Sequence, residues 1–351
     1  MSWVAQLARA DIVSLQAYEY ASWEPDLTRM HANELPWRAP KDESVFGLNR
    51  YPEPQPKDLV ERLAQLYGAA PHSVLAARGS DEAIDLLVRA FCRAGQDSVL
   101  VCPPTFAMYT LAAAIQGARV VSVPLRAMQG FALDADAVLQ MCTPEVKIVF
   151  LCSPNNPTGN LLSEEAIVRI TQALTTRALV VVDEAYVEFA ACQSLARYLP
   201  QLPNLAVLRT LSKAHGLAGV RCGTLIADPD VITLLKKIIH PYAIPQLTLE
   251  AVLKLLEPGQ LATVRKTTAL VRFERERVTK ELARLPFVKR VWPSKANFIL
   301  AEFADAAQAL FRAHEAQLLV RDVRGYLGLA SALRITIGTL EENERLLEAW
   351  A

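Results

Sequence analysis

Short apolar runs alternate with amphipathic stretches along most of the chain up to about residue 230. The stretches between the runs have the apolar spacing of helices, as in SEEAIVRITQAL, which begins with a serine cap and an acidic first turn. Short buried strands separated by helices are typical of a mostly parallel sheet covered by helices on both faces. The runs are SVLVC at 98–102, RVVSVPL, KIVFLC at 147–152, ALVVVDEAY, LAVLRT at 205–210 and CGTLIA at 222–227. The pattern therefore predicts an α/β fold.

The pattern changes after about residue 230. Helical stretches dominate there, including a long charged helix around 260–284, and strand-like segments follow: VKRVWP, NFILAEF, LLVRDV and LRITIG. This order predicts a smaller α+β domain after a linking helix. We expect an N-terminal arm at 1–40 that contributes to the small domain and to a dimer contact, a large domain at 41–240 and a small domain at 241–351.

The composition argues against several classes of protein. Lys plus Arg and Asp plus Glu each number 37, so the net charge is zero and nothing indicates binding to nucleic acid or to an anionic membrane. The N-terminus has neither a signal-peptide core nor an apolar span of about 20 residues. The six cysteines form no C-x-x-C pair. We therefore expect buried free thiols in a cytoplasmic protein.

A lysine in a turn of small residues is the first candidate for chemistry. The turn runs from Thr210 to Arg221, with Ser212 directly before Lys213. Small residues let a bulky group approach the backbone, and an arginine fork suits a phosphate. A lysine held there can form a Schiff base with an aldehyde. Together these residues suggest pyridoxal 5'-phosphate (PLP), whereas a lone Ser-x-Lys more often marks a helix start with an exposed lysine.

Polar residues also stand at the predicted strand ends, where ligands of parallel sheets bind. Ser153 and Asp183 each follow an apolar run. A carboxylate at the end of a buried strand is costly unless it is paired, and a pyridinium nitrogen would be such a partner. The alternatives for Asp183 are a salt bridge or a metal ligand.

Two further stretches could bind anions. A helix is predicted to begin after Gly79 with Ser80 or Asp81 as its cap, and free N–H groups at such a start bind phosphate, although a plain capped helix fits the same residues. Arg334 lies on an apolar strand and should meet a carboxylate or a phosphate, unless it forms a structural ion pair.

Taken together, these motifs carry a resemblance to a known family. Asn-Pro-Thr-Gly, Asp-Glu-Ala-Tyr, Ser-Lys with a downstream Gly-Val-Arg, and a late arginine, in this order, resemble the fold-type I PLP-dependent aminotransferases. LNRYPEPQP, CPPTFAMY, CSPNNPTGN, VDEAYVEF, RTLSKAHGLAGVRCG and LRITIGT are similar to histidinol-phosphate aminotransferases along nearly the whole chain. The resemblance implies a large domain with a mostly parallel seven-stranded sheet and a small α+β domain.

The resemblance also implies a reaction. L-Histidinol phosphate and 2-oxoglutarate would give imidazole-acetol phosphate and L-glutamate by a ping-pong mechanism, as a step of histidine biosynthesis. Lys213 would hold PLP covalently and then move a proton as general base and acid. Asp183 would pair with the pyridine nitrogen, Asn156 and Tyr186 would bind the ring 3'-oxygen, and Tyr109 would stack on the ring.

The phosphate of PLP would have its own binding residues. The resemblance assigns this role to Ser80 and Asp81, through their backbone N–H groups, and to Ser212 and Arg221. Tyr51 would reach the same phosphate from the neighbouring subunit. The active sites would then be shared between the subunits of a homodimer.

The substrate's anionic end would be bound by Arg334 and Arg321, again by resemblance. Asn33 and Tyr18 match positions that line the substrate pocket. The family often has Asn-Glu-Asn-Pro near its start, and here Leu35 replaces the second asparagine. Leu35 removes a polar group from the pocket, and Asn33 is retained.

Other functions remain open from the sequence. A related PLP enzyme could decarboxylate threonine phosphate or transaminate an aromatic amino acid. A PLP-fold ligand sensor is less favoured, because the chain has no basic DNA-binding region. A nicotinamide enzyme is less favoured still, because no G-x-G-x-x-G follows an early strand.

Overall fold

A seven-stranded sheet forms the centre of the larger part of the protein, in a computed structural model that describes residues 3–20, 24 and 27–351. Its strands are β1 (Val74–Ala77), β2 (Ser98–Val101), β3 (Arg119–Ser122), β4 (Val146–Cys152), β5 (Leu179–Asp183), β6 (Leu205–Thr210) and β7 (Gly223–Ile226). They lie in the order β1-β7-β6-β5-β4-β2-β3. Strands β3, β2, β4, β5 and β6 run parallel, and β7 pairs antiparallel with both β6 and β1. The predicted α/β fold is confirmed.

Helices cover both faces of this sheet. The strand side chains alternate between two apolar cores: Val180 and Val207 join one core, and Val181 and Leu208 join the other. This alternation explains why the central strands read as continuous apolar runs. The helices are α1 (Ala10–Ser14), α2 (Lys57–Tyr67), α3 (Ser80–Phe91), α4 (Met108–Gln116), α5 (Ala135–Met141), α6 (Glu164–Ala173), α7 (Pro229–Lys236) and α8 (Gln246–Leu255).

A second, antiparallel sheet follows a long helix. Helix α9 (Pro258–Leu282) leads into β8 (Val288–Val291), β9 (Phe298–Phe303), α10 (Ala306–Glu315), β10 (Arg321–Asp322), β11 (Ala332–Thr336) and α11 (Leu340–Trp350). The strand order is β10-β11-β9-β8. Its core includes Phe303 and the fully buried Trp350, whose rings meet edge to face at 5.1 Å. The predicted α+β pattern is therefore present.

The start of the N-terminal arm packs differently from the prediction. Val4 and Ile12 join the apolar core of α3 and α7, and Lys237 Nζ donates to the carbonyl of Val13 at 2.7 Å. These contacts place this segment on the large sheet's helices, which corrects its predicted assignment to the small domain. Residues 1–2, 21–23 and 25–26 of the predicted arm lie outside the described residues.

The predicted boundary at 240/241 also differs from the packing. Leu249 and Val252 of α8 lie in the same apolar core as Leu59 of α2. Helix α8 therefore packs with the large sheet. Trp292 and Leu300, which lie beyond α9, join the same core.

Three observations concern the described residues as a whole. Its cysteines are free thiols, and all except Cys192 are buried, as predicted. Within residues 3–20, 24 and 27–351, no helix is long and apolar enough to cross a membrane. The same residues contain no cluster of His, Cys, Asp and Glu side chains that could hold a metal ion.

Candidate active site

A cavity of about 860 Å³ opens at the carboxyl ends of β4, β5 and β6 and reaches the small sheet. Adjacent parallel strands bring sequence-distant polar groups to one edge, as the strand-end pattern predicts. Most of the candidate residues line this cavity: Ser80, Asp81, Asn156, Asp183, Tyr186, Ser212, Lys213, Arg221, Arg321 and Arg334.

Lys213 lies in the loop that follows β6, and its amine faces the cavity. Its Nζ is 5.7 Å from the centre of the Tyr186 ring. The pKa of Lys213 is lowered, first because the amine is partly withdrawn from bulk water and then because the Arg334 guanidinium is near. A lowered pKa increases the neutral, nucleophilic fraction of an amine. Lys213 therefore fits the binding of an aldehyde.

Asp183 is a buried carboxylate at the end of β5, with 3% of the residue exposed. It accepts hydrogen bonds from the Tyr109 hydroxyl at 2.8 Å and the Ala185 N–H at 3.0 Å. Burial raises the pKa of Asp183 to about 6. Within the described part of the chain it forms no ion pair. A cationic ring nitrogen is a suitable partner for such a group.

The beginning of α3 forms a cradle for an anion. The cap residue is Gly79, with φ of +83°, and no side chain caps the helix, so the predicted capping role of Ser80 or Asp81 is wrong. The first N–H groups of α3 therefore remain available to a ligand. A side chain would be strained at this φ, and its Cβ would lie 2.5 Å from Arg221 Nη2, so glycine favours this close approach.

Arg221 completes this cradle. Its Nη1 is 3.5 Å from Ser212 Oγ, and its Nη2 is 3.2 Å from Asp81 Oδ2. Arg221 adopts a left-handed conformation with φ of +60°, which is uncommon for a residue with a side chain. Helix N–H groups, a hydroxyl and a guanidinium thus converge on one side of the cavity, as a phosphate requires.

A second cationic region lies on the small sheet. Arg321 on β10 is the register partner of Arg334 on β11, so both side chains lie on the same face. Arg334 Nη1 donates a hydrogen bond to Asn156 Oδ1, and its buried Nε has no hydrogen-bond partner in the described chain. Two adjacent guanidinium groups with unused donors fit an anionic ligand.

Four candidate residues do not line this cavity. Tyr109 is fully buried, stacks on Phe150 at 4.7 Å and donates to Asp183, so in this arrangement it cannot also stack on a ligand in the cavity. Tyr51 is half exposed and stacks on Tyr242 at 4.6 Å. Tyr18 and Asn33 lie in the N-terminal segment and do not line this cavity; Asn33 borders a different cavity together with Tyr51.

Two aromatic residues that no sequence motif singles out also line the cavity. Phe106 comes from the turn before α4, and Tyr326 comes from the loop between β10 and β11. Both also border a neighbouring cavity of about 700 Å³. Phe106 lies within the quoted CPPTFAMY, where the choice between its two aromatic residues depends on how α4 is rotated. Nothing in the sequence pattern selects Tyr326.

The fold and the site together define a class of enzyme. A reactive amine, a buried carboxylate without a cation and an anion cradle share one cavity, which fits an aldehyde cofactor that has a cationic ring and a phosphate. The chain belongs to the aminotransferase class I and II family, whose profile matches residues 11–349.

Similar proteins agree with this assignment. The chain is 46% identical to a histidinol-phosphate aminotransferase of Xanthomonas axonopodis pv. citri, over 99% of this chain and 96% of the relative. It is 48% identical to one of Stenotrophomonas maltophilia, over 91% and 88%. The solved histidinol-phosphate aminotransferase of Sinorhizobium meliloti, in complex with pyridoxal-5'-phosphate, superposes with a TM-score of 0.78 at 26% identity, covering 86% of this chain and 82% of that one.

Proposed function

We propose that this protein is a PLP-dependent histidinol-phosphate aminotransferase. It transfers the amino group of L-histidinol phosphate to 2-oxoglutarate, and the products are imidazole-acetol phosphate and L-glutamate. The observation that carries the proposal is the pairing of two anion-binding regions with one reactive amine. Lys213 and Asp183 lie in a cavity that also holds the Arg221 cradle and the Arg334–Arg321 pair. The relatives of about 45% identity supply the particular substrate.

The residues of this chain have distinct tasks. PLP, when bound, carries the amino group between substrates and accepts electron density from the substrate carbon. Lys213 anchors the cofactor and moves a proton from the substrate Cα as general base. The negative charge of Asp183 would stabilise a positive charge on the ring nitrogen of the cofactor. The α3 N–H groups and Arg221 hold the cofactor phosphate.

The same two arginines serve both substrates. A guanidinium fork binds the phosphate ester of histidinol phosphate as readily as a carboxylate of 2-oxoglutarate. Arg334 and Arg321 can therefore accept both molecules in turn at one place. Asn156, which accepts a hydrogen bond from Arg334, links this region to the cofactor side of the cavity.

The activity is tested by steady-state kinetics with 2-oxoglutarate as amino acceptor. We expect kcat/KM for L-histidinol phosphate to exceed the values for L-phenylalanine and L-threonine phosphate. Release of carbon dioxide from threonine phosphate would instead identify a decarboxylase. Retention on DNA at moderate salt, without turnover of any amine, would favour a ligand sensor.

Replacing Arg334 by lysine tests the shared anion site. Lysine keeps the charge but loses the fork, so KM should rise about 10- to 100-fold for both histidinol phosphate and 2-oxoglutarate. The absorbance of bound PLP should not change. Arg312→Lys, at an arginine on α10 that lies over Phe287 outside the cavity, is the matched control. An increase of KM for one substrate only would mean that the two anions bind at different places.

Replacing Tyr109 by phenylalanine tests the support of Asp183. The Tyr109 hydrogen bond lowers the pKa of this carboxyl, so its removal should raise the pKa of Asp183 above about 6. A protonated Asp183 cannot pair with a cationic ring. We expect the affinity of the apoprotein for PLP to fall as the pH decreases from 8 to 5. This fall should begin at a higher pH in the variant than in the wild type. Identical pH profiles would contradict the role given to Tyr109.

We further propose a homodimer in which Tyr51 acts at the partner's cofactor site. Exposed apolar side chains on the segment that leads to Tyr51, and on α8, support the proposal, because an isolated surface rarely leaves so many uncovered. They are Leu35, Trp37, Val45, Phe46, Leu48 and Leu247. We expect a dimer in sedimentation, and a weaker PLP affinity in Tyr51→Phe without a change of mass. A monomer with full activity would contradict it.

The proposed location is the cytoplasm. Five buried free thiols support this, because a reducing compartment keeps such groups unpaired. Fractionation of cells that express the tagged protein would test it.

A further inference from the structure

A buried cluster of charged side chains adjoins the active site without lining its cavity. Its centre is Arg209 on β6, whose side chain is 8% exposed. The guanidinium bridges two carboxylates: Nη2 donates to Glu188 Oε1 at 2.7 Å, and Nη1 lies 3.5 Å from Glu184 Oε2. The guanidinium carbon also lies 4.4 Å from the centre of the Tyr67 ring, at the end of α2. None of these side chains is part of the described cavity wall.

This cluster is interleaved in sequence with the reactive residues. Glu184 directly follows Asp183, and Glu188 is two residues beyond Tyr186. Arg209 precedes Thr210, a cavity residue, and stands four positions before Lys213. The two carboxylates therefore belong to the turn that carries Asp183 and Tyr186, whereas the cation belongs to the strand that leads into the lysine loop.

Further contacts hold Glu184 in place. Its Oε2 accepts from the Ser194 hydroxyl at 2.6 Å and its Oε1 from the Leu195 N–H at 2.6 Å, while its own N–H donates to the Leu208 carbonyl at 3.0 Å. Glu188 has fewer partners, and its Oε2 is buried without a hydrogen bond. Arg209 is thus the cation that the two carboxylates share.

Burying this cluster in the core is unfavourable for the free energy of folding. Two of its buried polar atoms have no hydrogen-bond partner in the described chain, Glu188 Oε2 and Arg209 Nε. Native cores contain few such atoms, and a buried ion pair can often be replaced by apolar side chains without loss of stability. Stability alone therefore does not account for the cluster, whereas a requirement for one fixed geometry does.

We propose that Arg209, acting through Glu184 and Glu188, is a positioning residue that fixes the turn of Asp183 and Tyr186 against the loop of Lys213. Without the guanidinium the two carboxylates repel each other and the turn shifts. Cofactor binding then weakens and proton transfer slows, because both need Asp183 and Lys213 at fixed positions relative to each other. Binding of the anionic substrate through Arg334 does not depend on this contact.

The test compares Arg209→Lys and Arg209→Met with the wild type. Lysine keeps the charge but can neither bridge both carboxylates nor stack on Tyr67 in the same way. Arg290→Met is the matched control, because Arg290 is an exposed arginine that lies 3.5 Å over the Trp292 ring. The double variant Arg209→Met/Glu188→Gln removes one uncompensated charge and should partly restore the wild-type behaviour.

The first readout is hydrogen exchange of the apoprotein. In both Arg209 variants we expect amide exchange at 184–190 and 211–217 to quicken by at least about threefold, with 298–303 on β9 unchanged. This comparison needs no cofactor, so it decides the inference even if the proposed function fails. If Arg209→Met does not fold, Arg209→Lys decides.

The second readout is the dissociation constant of PLP, and it rests on the proposed function. We expect it to increase about 10- to 100-fold in Arg209→Met and less in Arg209→Lys, with kcat reduced and KM for histidinol phosphate nearly constant. Unchanged exchange in both segments would overturn the proposal. So would faster exchange throughout the protein together with an unchanged PLP constant, which would identify a merely structural role. A wild type that binds no PLP would refute the proposed function alone.

Discussion

Replacing Lys213 by alanine should abolish turnover and covalent attachment of the cofactor together. Lys213 is the residue of the cavity that can both anchor an aldehyde and move the Cα proton. Proton transfer by a positioned group alone contributes roughly 10²- to 10⁴-fold, so we expect kcat to fall by about 10⁴-fold or more. Turnover, and the mass of the protein after borohydride reduction in the presence of PLP, measure the two effects.

The Lys213→Ala result needs a control for the loss of a lysine as such. Lys266→Ala, at an exposed position on α9, should keep both activity and the mass increase after reduction. The attached cofactor should also map to Lys213 in the wild type. Full activity of Lys213→Ala, or attachment at a different lysine, would contradict the assignment.

Asp183→Asn should lower activity while it stabilises the apoprotein. Asparagine cannot balance a cationic ring, and loss of one such electrostatic contact costs roughly 10²- to 10³-fold in kcat. Burial gives Asp183 a pKa of about 6, against 3.8 for an unperturbed aspartate. Ionisation of this carboxyl therefore costs the folded apoprotein up to about 3 kcal/mol at pH 7.

The sign of the stability effect follows from the raised pKa. Between about pH 4 and pH 6 the folded state holds a proton on Asp183 that the unfolded state releases, so the stability of the wild type falls as pH rises through this window. The asparagine variant lacks this loss. Urea unfolding of both apoproteins at pH 4.5 and pH 7.5 measures it. An exposed aspartate, Asp136→Asn, serves as control, and equal stabilities at both pH values would contradict the account.

Much of the fold follows from local sequence signals. The central strands are buried on both faces, so their apolar runs stand out from the helices between them. The polar residues Ser153, Asp183 and Thr210 lie at or just after strand ends, and the parallel arrangement alone brings them to one edge of the sheet. The predictions that depended only on buried strands and on the shared edge of parallel strands agree with the structure.

Other features depend on tertiary contacts that no local pattern contains. The rotation of α4 decides that Phe106 faces the cavity and that Tyr109 turns to Asp183 and Phe150. The start of α3 has capping residues in its sequence, yet Arg221, far along the chain, fills the space beside Gly79. The apolar side chains of the N-terminal segment would suit either domain, and they pack on α3 and α7.

The most direct test of the central claim is a spectral titration of the purified holoenzyme with L-histidinol phosphate and no keto acid. If the protein is a histidinol-phosphate aminotransferase, the absorbance of bound PLP converts to that of pyridoxamine phosphate at low substrate concentration. L-Phenylalanine and L-threonine phosphate should convert it only at much higher concentrations. Absence of conversion by histidinol phosphate, or a lower concentration requirement for either of the other two amines, would contradict the claim.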